Sequence, residues 1–102
     1  MLPTMSAYAI ACLRVHDPEG YREYVAAAPG TIAAYGGEYL ARGGTTDVCE
    51  GDLTPERVVV LRFPSLEQAR RWYHSPEYAA IRPIRERCAD GPFLLTDGVP
   101  AS

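Results

Sequence analysis

A chain of 102 residues has room for one domain with a single core. Its apolar, charged and aromatic fractions are 47%, 23% and 10%, ordinary values for a globular protein. The formal net charge is −3 and all ten basic residues are arginines, scattered among acids apart from Arg82, Arg85 and Arg87, which Glu86 balances in part. This argues against nucleic acid as a partner, because neutralising phosphates needs clustered basic side chains.

No apolar run approaches the roughly eighteen residues that cross a bilayer, and no basic or apolar leader opens the sequence. Met5 is as good a start as Met1, and residues 1–6 and 99–102 read as loose tails around a core of about 8–98. Cys12, Cys49 and Cys88 are odd in number and far apart, forming neither a C-x-x-C motif nor an even disulfide framework. They read as buried or semi-buried thiols of a cytoplasmic protein.

The first strand is predicted over about Tyr8 to Val15. It stops at His16-Asp17-Pro18, where Asp17 suits a helix N-cap and Pro18 the first helical position. Tyr21, Tyr24, Val25, Ala28, Ile32 and Tyr35 then mark one helical stripe, which Pro29-Gly30 is expected to kink or restart. Gly36-Gly37 ends the helix. A second strand follows from Glu38 to Arg42, with a bulge or bend at Gly43-Gly44 and renewed pairing at Val48 to Glu50. Residues 52–56 form a turn, and Arg57 to Phe63 a third strand. Ser65 and Gln68 have capping-box spacing, and Leu66, Ala69, Trp72 and Tyr73 make the apolar face of the helix they open. Ser75-Pro76 starts another helical piece that ends near Cys88 and that Pro83 should bend or break. Phe93 to Thr96 is the last strand, closed by Asp97-Gly98.

The order is strand, helix, strand, strand, helix, strand: an α+β, ferredoxin-like βαββαβ domain with a four-stranded antiparallel sheet. Right-handed crossovers put the helices on one face. Tyr8 to Leu13 and Val58 to Leu61 are apolar without alternation, the pattern of strands buried on both faces. Two helical regions cover only one face, so the other predicts a homodimer joined sheet to sheet.

Tyr35-Gly36-Gly37, Arg42-Gly43-Gly44, Glu50-Gly51, Arg62-Phe63-Pro64-Ser65, Trp72-Tyr73 and Ser75-Pro76-Glu77-Tyr78 stand in one order at characteristic intervals. Together, over about Tyr8 to Gly98, they resemble the domain-of-unknown-function family 1330 (DUF1330) of the dimeric α+β barrel superfamily. The resemblance implies the fold and the dimer but no agreed reaction. The wider superfamily includes cofactor-free monooxygenases, isomerases and haem-dependent enzymes, so fold alone is a weak guide to activity.

His16 lies where a strand gives way to a helix N-terminus and is a candidate general base; a solvated loop histidine is the plain alternative. His74 ends a helix, where a cation complements the dipole. Two separate histidines without clustered carboxylates predict no metal site, and no cofactor is expected. The first and third strands are expected side by side and parallel. Arg14 and Arg62 would then converge at one end of the sheet, able to hold a carboxylate or enolate, or else to pair with acids of either chain. Arg42 and Glu50 flank the glycine bend, where a structural ion pair is the plain reading. Tyr24, Trp72 and Tyr73, with Tyr21, Tyr35 and Tyr78, are core aromatics that could also line a pocket between helices and sheet.

The sequence thus predicts a homodimer that binds a flat, possibly anionic organic molecule between helices and sheet. It would act as a cofactor-free isomerase, cyclase or monooxygenase; the alternative is a non-catalytic dimeric binding or assembly module. The candidate catalytic residues are His16 and Arg62. The candidate ligand-binding residues are Arg14, Tyr24, Arg42, Trp72 and Tyr73.

Overall fold

The computed structural model of the protein describes residues 6–54 and 56–99. Both candidate start codons, nearly all of the two expected tails and Pro55 of the expected turn lie outside them. Strand β1 (Ala7–Val15) ends just before Asp17, whose Oδ1 accepts the Gly20 N–H at 3.1 Å and caps α1 (Pro18–Ala34). Helix α1 runs through Pro29 without the expected restart. A proline has no N–H to give the carbonyl four residues back, and Arg42 Nη2 donates to that carbonyl, of Val25, at 3.3 Å instead. Gly36, at φ +79°, closes the helix: Gly37 N–H reaches the Ile32 carbonyl at 2.9 Å and Gly36 N–H that of Ala33 at 3.0 Å.

Strands β2 (Glu38–Arg42) and β3 (Arg57–Phe63) pair antiparallel. The register shifts between Tyr39 and Ala41, earlier than the glycine pair expected to bulge, and Val48 to Glu50 form no strand. Cys49 is exposed on that segment, whereas Cys12 is half-buried and Cys88 buried. Ser65 caps α2 (Leu66–Tyr73) by accepting the Gln68 N–H at 3.0 Å. The Gln68 side chain donates to the Tyr35 carbonyl at 3.1 Å and so ties the start of α2 to the end of α1. Ser75 accepts the Tyr78 N–H at 3.0 Å and opens α3 (Pro76–Cys88), which passes Pro83 unbroken. The fourth strand is split into β4 (Ala89–Asp90) and β5 (Phe93–Asp97) by Gly91-Pro92, and both pieces pair with β1.

The spatial order is β2-β3-β1, with β4 and β5 on the far side of β1, and every pairing is antiparallel. The expectation that β1 and β3 run parallel is therefore corrected. A crossover makes β1 and β2 parallel, and the hairpin-type return to β3 reverses the chain between them. Ala7, Ala9, Ala11 and Leu13 of β1, with Leu61 and Phe63 of β3, face the helices and are buried. Tyr8, Ile10, Cys12, Val58 and Val60 face the other way and are only half-buried, while Leu94 on the same side is 45% exposed. Trp72 and Tyr78, both fully buried with ring centroids 4.2 Å apart, join the helices to the sheet.

Gly91 adopts φ +139°, and a Cβ there would lie 1.9 Å from the Cys12 carbonyl oxygen; Gly44 has nothing within 4 Å. Gly91→Ala should therefore lower the stability read from urea unfolding by about 2 kcal/mol or more, with Gly44→Ala within about 0.5 kcal/mol of the parent.

Candidate functional site

Alanine side chains end at Cβ, so the alternating alanines of β1 leave the helix-facing side of the sheet low. Ala9, Ala11 and Leu13 form the floor of a chamber between the sheet and α1 and α3. Its open space, which runs out to solvent, is about 430 Å³, but only about 30 Å³ is free to the centres of water molecules. The smaller figure measures true vacancy, room for one or two waters.

Tyr21 and Tyr24, three residues apart on the buried stripe of α1, form one wall. Arg85, on α3, forms the other. It is 6% exposed, its Cζ lies 4.7 Å from the centre of the Phe93 ring, and its Nε donates to Tyr78 Oη at 3.1 Å. Tyr78 Oη is in turn 2.7 Å from Tyr24 Oη. Arg42 and Arg57 stand at the mouth. The Arg42 guanidinium stacks 4.4 Å from the Tyr39 ring centre, and that of Arg57 lies 5.6 Å from that of Tyr21. Arg57 also lines a wider groove outside, where α1 passes the start of β3, and so stands between chamber and groove.

Among the described residues, none of these three arginines forms a salt bridge and no carboxylate lines the chamber. The Arg57 Nε is buried without a hydrogen-bond partner among the described residues. Three guanidinium groups around one apolar chamber, in a chain of net charge −3, concentrate positive potential there. Burial opposes the charge of Arg85, but the phenols of Tyr78 and Tyr24 more than offset this and hold its pKa above the usual value. Burial also pushes the Tyr24 phenol far up, with Tyr78 adding to the effect. Tyr78 and Tyr21 are raised by burial as well, Tyr78 against its hydrogen bond with Tyr24 and the pull of Arg85, and Tyr21 against the pull of Arg57. The phenols are therefore neutral donors at physiological pH. Among the described residues no His, Cys, Asp or Glu lines the chamber. The site can neutralise and hydrogen-bond an oxyanion, and it offers no strong base.

Of the residues singled out in the sequence, Tyr24 and Arg42 lie in the chamber. Trp72 is fully buried behind it and its Nε1 donates to Thr31 Oγ1 at 3.0 Å. Tyr73 packs under Arg82, whose Cζ is 5.3 Å from its ring centre. His16 lies 3.5 Å from Asp90 on the surface, and Arg62 pairs with Glu38. Arg14 and Arg62 do not converge. They share the outer face, but Arg14 stands opposite Asp90 at one end of β1 while Arg62 stands opposite Tyr8 at the other. Among the described residues no three His, Cys, Asp or Glu side chains group as metal ligands, and no helix is long and apolar enough to cross a membrane. The sequence reading points to neither Arg85 nor Arg57, and it names Tyr78 only among the core aromatics that could line a pocket. The signal for Arg85 is its spacing: it falls four residues after Ile81 and seven after Tyr78, on the buried stripe of α3.

Fold and site together define a ferredoxin-like α+β protein with an arginine-lined chamber between helices and sheet. The chain belongs to the family Domain of unknown function (DUF1330), whose model matches residues 6–99. A comparison with curated proteins returns no match. Among solved structures, the chain is similar to RPA0582 of Rhodopseudomonas palustris, a protein of unknown function: TM-score 0.74, 16% identity, covering 92% of this chain and 82% of that one. It is also similar to SnoaB, a cofactor-independent oxygenase from Streptomyces nogalater: TM-score 0.64, 14% identity, 94% of each chain. A dimeric ferredoxin-like protein of unknown function from Thermobifida fusca matches with TM-score 0.62 at 16% identity, over 97% of this chain and 94% of that one. At these identities the likeness establishes the fold.

Because folding raises the pKa of Tyr21, Tyr24 and Tyr78, the folded chain retains protons that the unfolded chain releases near pH 10. The stability these groups contribute is full below that pH and is lost as the pH rises above it. Alkaline titration of tyrosine absorbance should therefore show fewer ionising groups in the native protein than the seven of the unfolded chain, and the remainder should ionise together with unfolding.

Proposed function

We propose that the protein binds a flat, anionic organic molecule in the chamber between helices and sheet, and acts on it as a cofactor-free enzyme. The observation that carries this reading is Arg85: a buried guanidinium facing an apolar chamber, with no carboxylate partner among the described residues. An uncompensated buried charge is costly, and an anionic ligand is the partner that would relieve it. Stabilising negative charge on oxygen serves the enolates and phenolates through which isomerisation, cyclisation and cofactor-free oxygenation of electron-rich rings proceed. SnoaB, similar in fold, is a cofactor-independent oxygenase, which supports that class. In this reading Tyr24 and Arg42 contact the ligand. Trp72 supports the chamber wall from behind, and Tyr73, His16, Arg14 and Arg62 act outside it.

The protein is read as a cytoplasmic homodimer. Ile10, Val58, Val60 and Leu94 form an apolar outer face with no helix of the described residues over it, and the similar Thermobifida protein is dimeric. The second reading, a non-catalytic dimeric module, draws on the small vacancy of the chamber, which as it stands admits one or two waters.

A panel of flat carboxylates and phenols headed by 2-naphthoate separates the two. On the first reading 2-naphthoate raises the melting temperature of the parent, and Ala11→Leu, which fills the chamber floor, removes that shift while leaving the fold intact. A panel without any effect on the parent would favour the module. Val60→Asp should convert a dimer to monomer in sedimentation equilibrium; a parent that sediments as a monomer would rule the homodimer out.

A further inference from the structure

The two buried hydroxyls beside the chamber, Tyr24 and Tyr78, are not equivalent. Tyr78 is fully buried, and its Oη accepts the Arg85 Nε–H at 3.1 Å. Its only other partner among the described residues is Tyr24 Oη, 2.7 Å away. If Tyr24 donated to Tyr78, the Tyr78 proton would be left buried without an acceptor, at the cost of an unmade hydrogen bond. The arrangement that turns the unpartnered proton toward the chamber runs the other way: Arg85 donates to Tyr78, and Tyr78 donates to Tyr24. The Tyr24 proton then has no acceptor among the described residues, and Tyr24 is the member of the pair that lines the chamber.

We propose that Arg85, Tyr78 and Tyr24 form a one-way hydrogen-bond chain that presents the Tyr24 hydroxyl proton to an organic oxyanion, a phenolate, enolate or carboxylate, bound in the chamber. The proposal rests on the ligand-binding reading above and adds to it the atom that meets the ligand and the charge state it selects. Each donor in such a chain polarises the next, and a full positive charge at its head makes the terminal O–H a better donor than an isolated phenol. The guanidinium nitrogens of Arg85 make no hydrogen bond beyond Nε among the described residues, which leaves its terminal N–H groups for the same anion. Tyr24 is the contacting residue; Tyr78 is a positioning residue that acts through it.

The test uses 4-nitrophenol, its neutral analogue nitrobenzene and 4-nitrobenzoate, with binding followed by calorimetry and the ionisation of bound nitrophenol by visible absorption. The parent should bind 4-nitrophenolate in preference to nitrobenzene and lower the apparent pKa of the bound phenol. Tyr24→Phe should weaken 4-nitrophenolate about 10- to 100-fold, as expected for a lost hydrogen bond to a charged group, and leave nitrobenzene unchanged. Tyr78→Phe keeps the ring and its packing; it should weaken the anion less and raise the bound phenol's pKa toward that of free 4-nitrophenol. Tighter binding of 4-nitrobenzoate than of the phenolate, with the same loss in Tyr24→Phe, would assign the anion as a carboxylate. Equal binding of anion and neutral analogue, or full anion affinity in Tyr24→Phe, would overturn the chain while a 2-naphthoate effect would leave the ligand reading standing. No binding of any of these probes or of 2-naphthoate would overturn both.

Discussion

A guanidinium group held 6% exposed against an apolar chamber is the constraint around which this small fold is arranged. Removing such a charge from water costs several kcal/mol even after relaxation, and here no carboxylate of the described residues offsets it. What offsets it in part is dispersed: the face of Phe93, the Tyr78 hydroxyl oxygen, and beyond it Tyr24. Each of these comes from a different element, β5, α3 and α1, so the charge can be tolerated only when all three are docked. A hydrophobic residue at position 85 would serve stability better, which fits the proposed role of Arg85 in holding an anion.

The elements were legible because their boundaries are chemical. Asp17-Pro18, Ser65 and Ser75-Pro76 each place an oxygen where helical N–H groups lack partners, and the structure uses all three. Gly36 ends α1 where its sequence position says it should. Neither Pro29 nor Pro83 breaks its helix, since a proline inside a helix removes one hydrogen bond, and tertiary contacts decide whether the helix survives. At Pro29 the rescue comes from Arg42, on another element, which no local reading contains.

The site was legible only in part. The gap over β1 follows from Ala9 and Ala11, and Tyr24 follows from the α1 stripe, but Arg85 was hidden by its neighbours. Between Arg82 and Arg87, with Glu86 beside it, it reads as one more member of a solvated charge cluster. Helical period separates them: Arg85 shares the buried face with Tyr78 and Cys88, whereas Glu86 and Arg87 are exposed. Arg14 and Arg62 misled for a different reason. Their shared face was readable from alternation, but whether they meet depends on strand direction. With β1 and β3 antiparallel, residues near the ends of both lie at opposite ends of the sheet.

The two faces of the sheet are linked through single strands. Val59 and Leu61 line the chamber while Val58 and Val60, between and beside them, face outward. A chamber floored by alanine forgoes contacts that larger side chains would make, and vacancies of this kind lower stability. The deficit falls on β1 and β3, the two central strands, and these carry the half-buried apolar residues of the outer face. Covering that face with a second copy would return apolar burial at roughly 25 cal/mol per Å² to the same strands that lose it inside. It would also fix the floor against which Arg85 and Tyr24 are positioned. A domain of this size with an open chamber on one side of its sheet therefore gains most from a partner on the other.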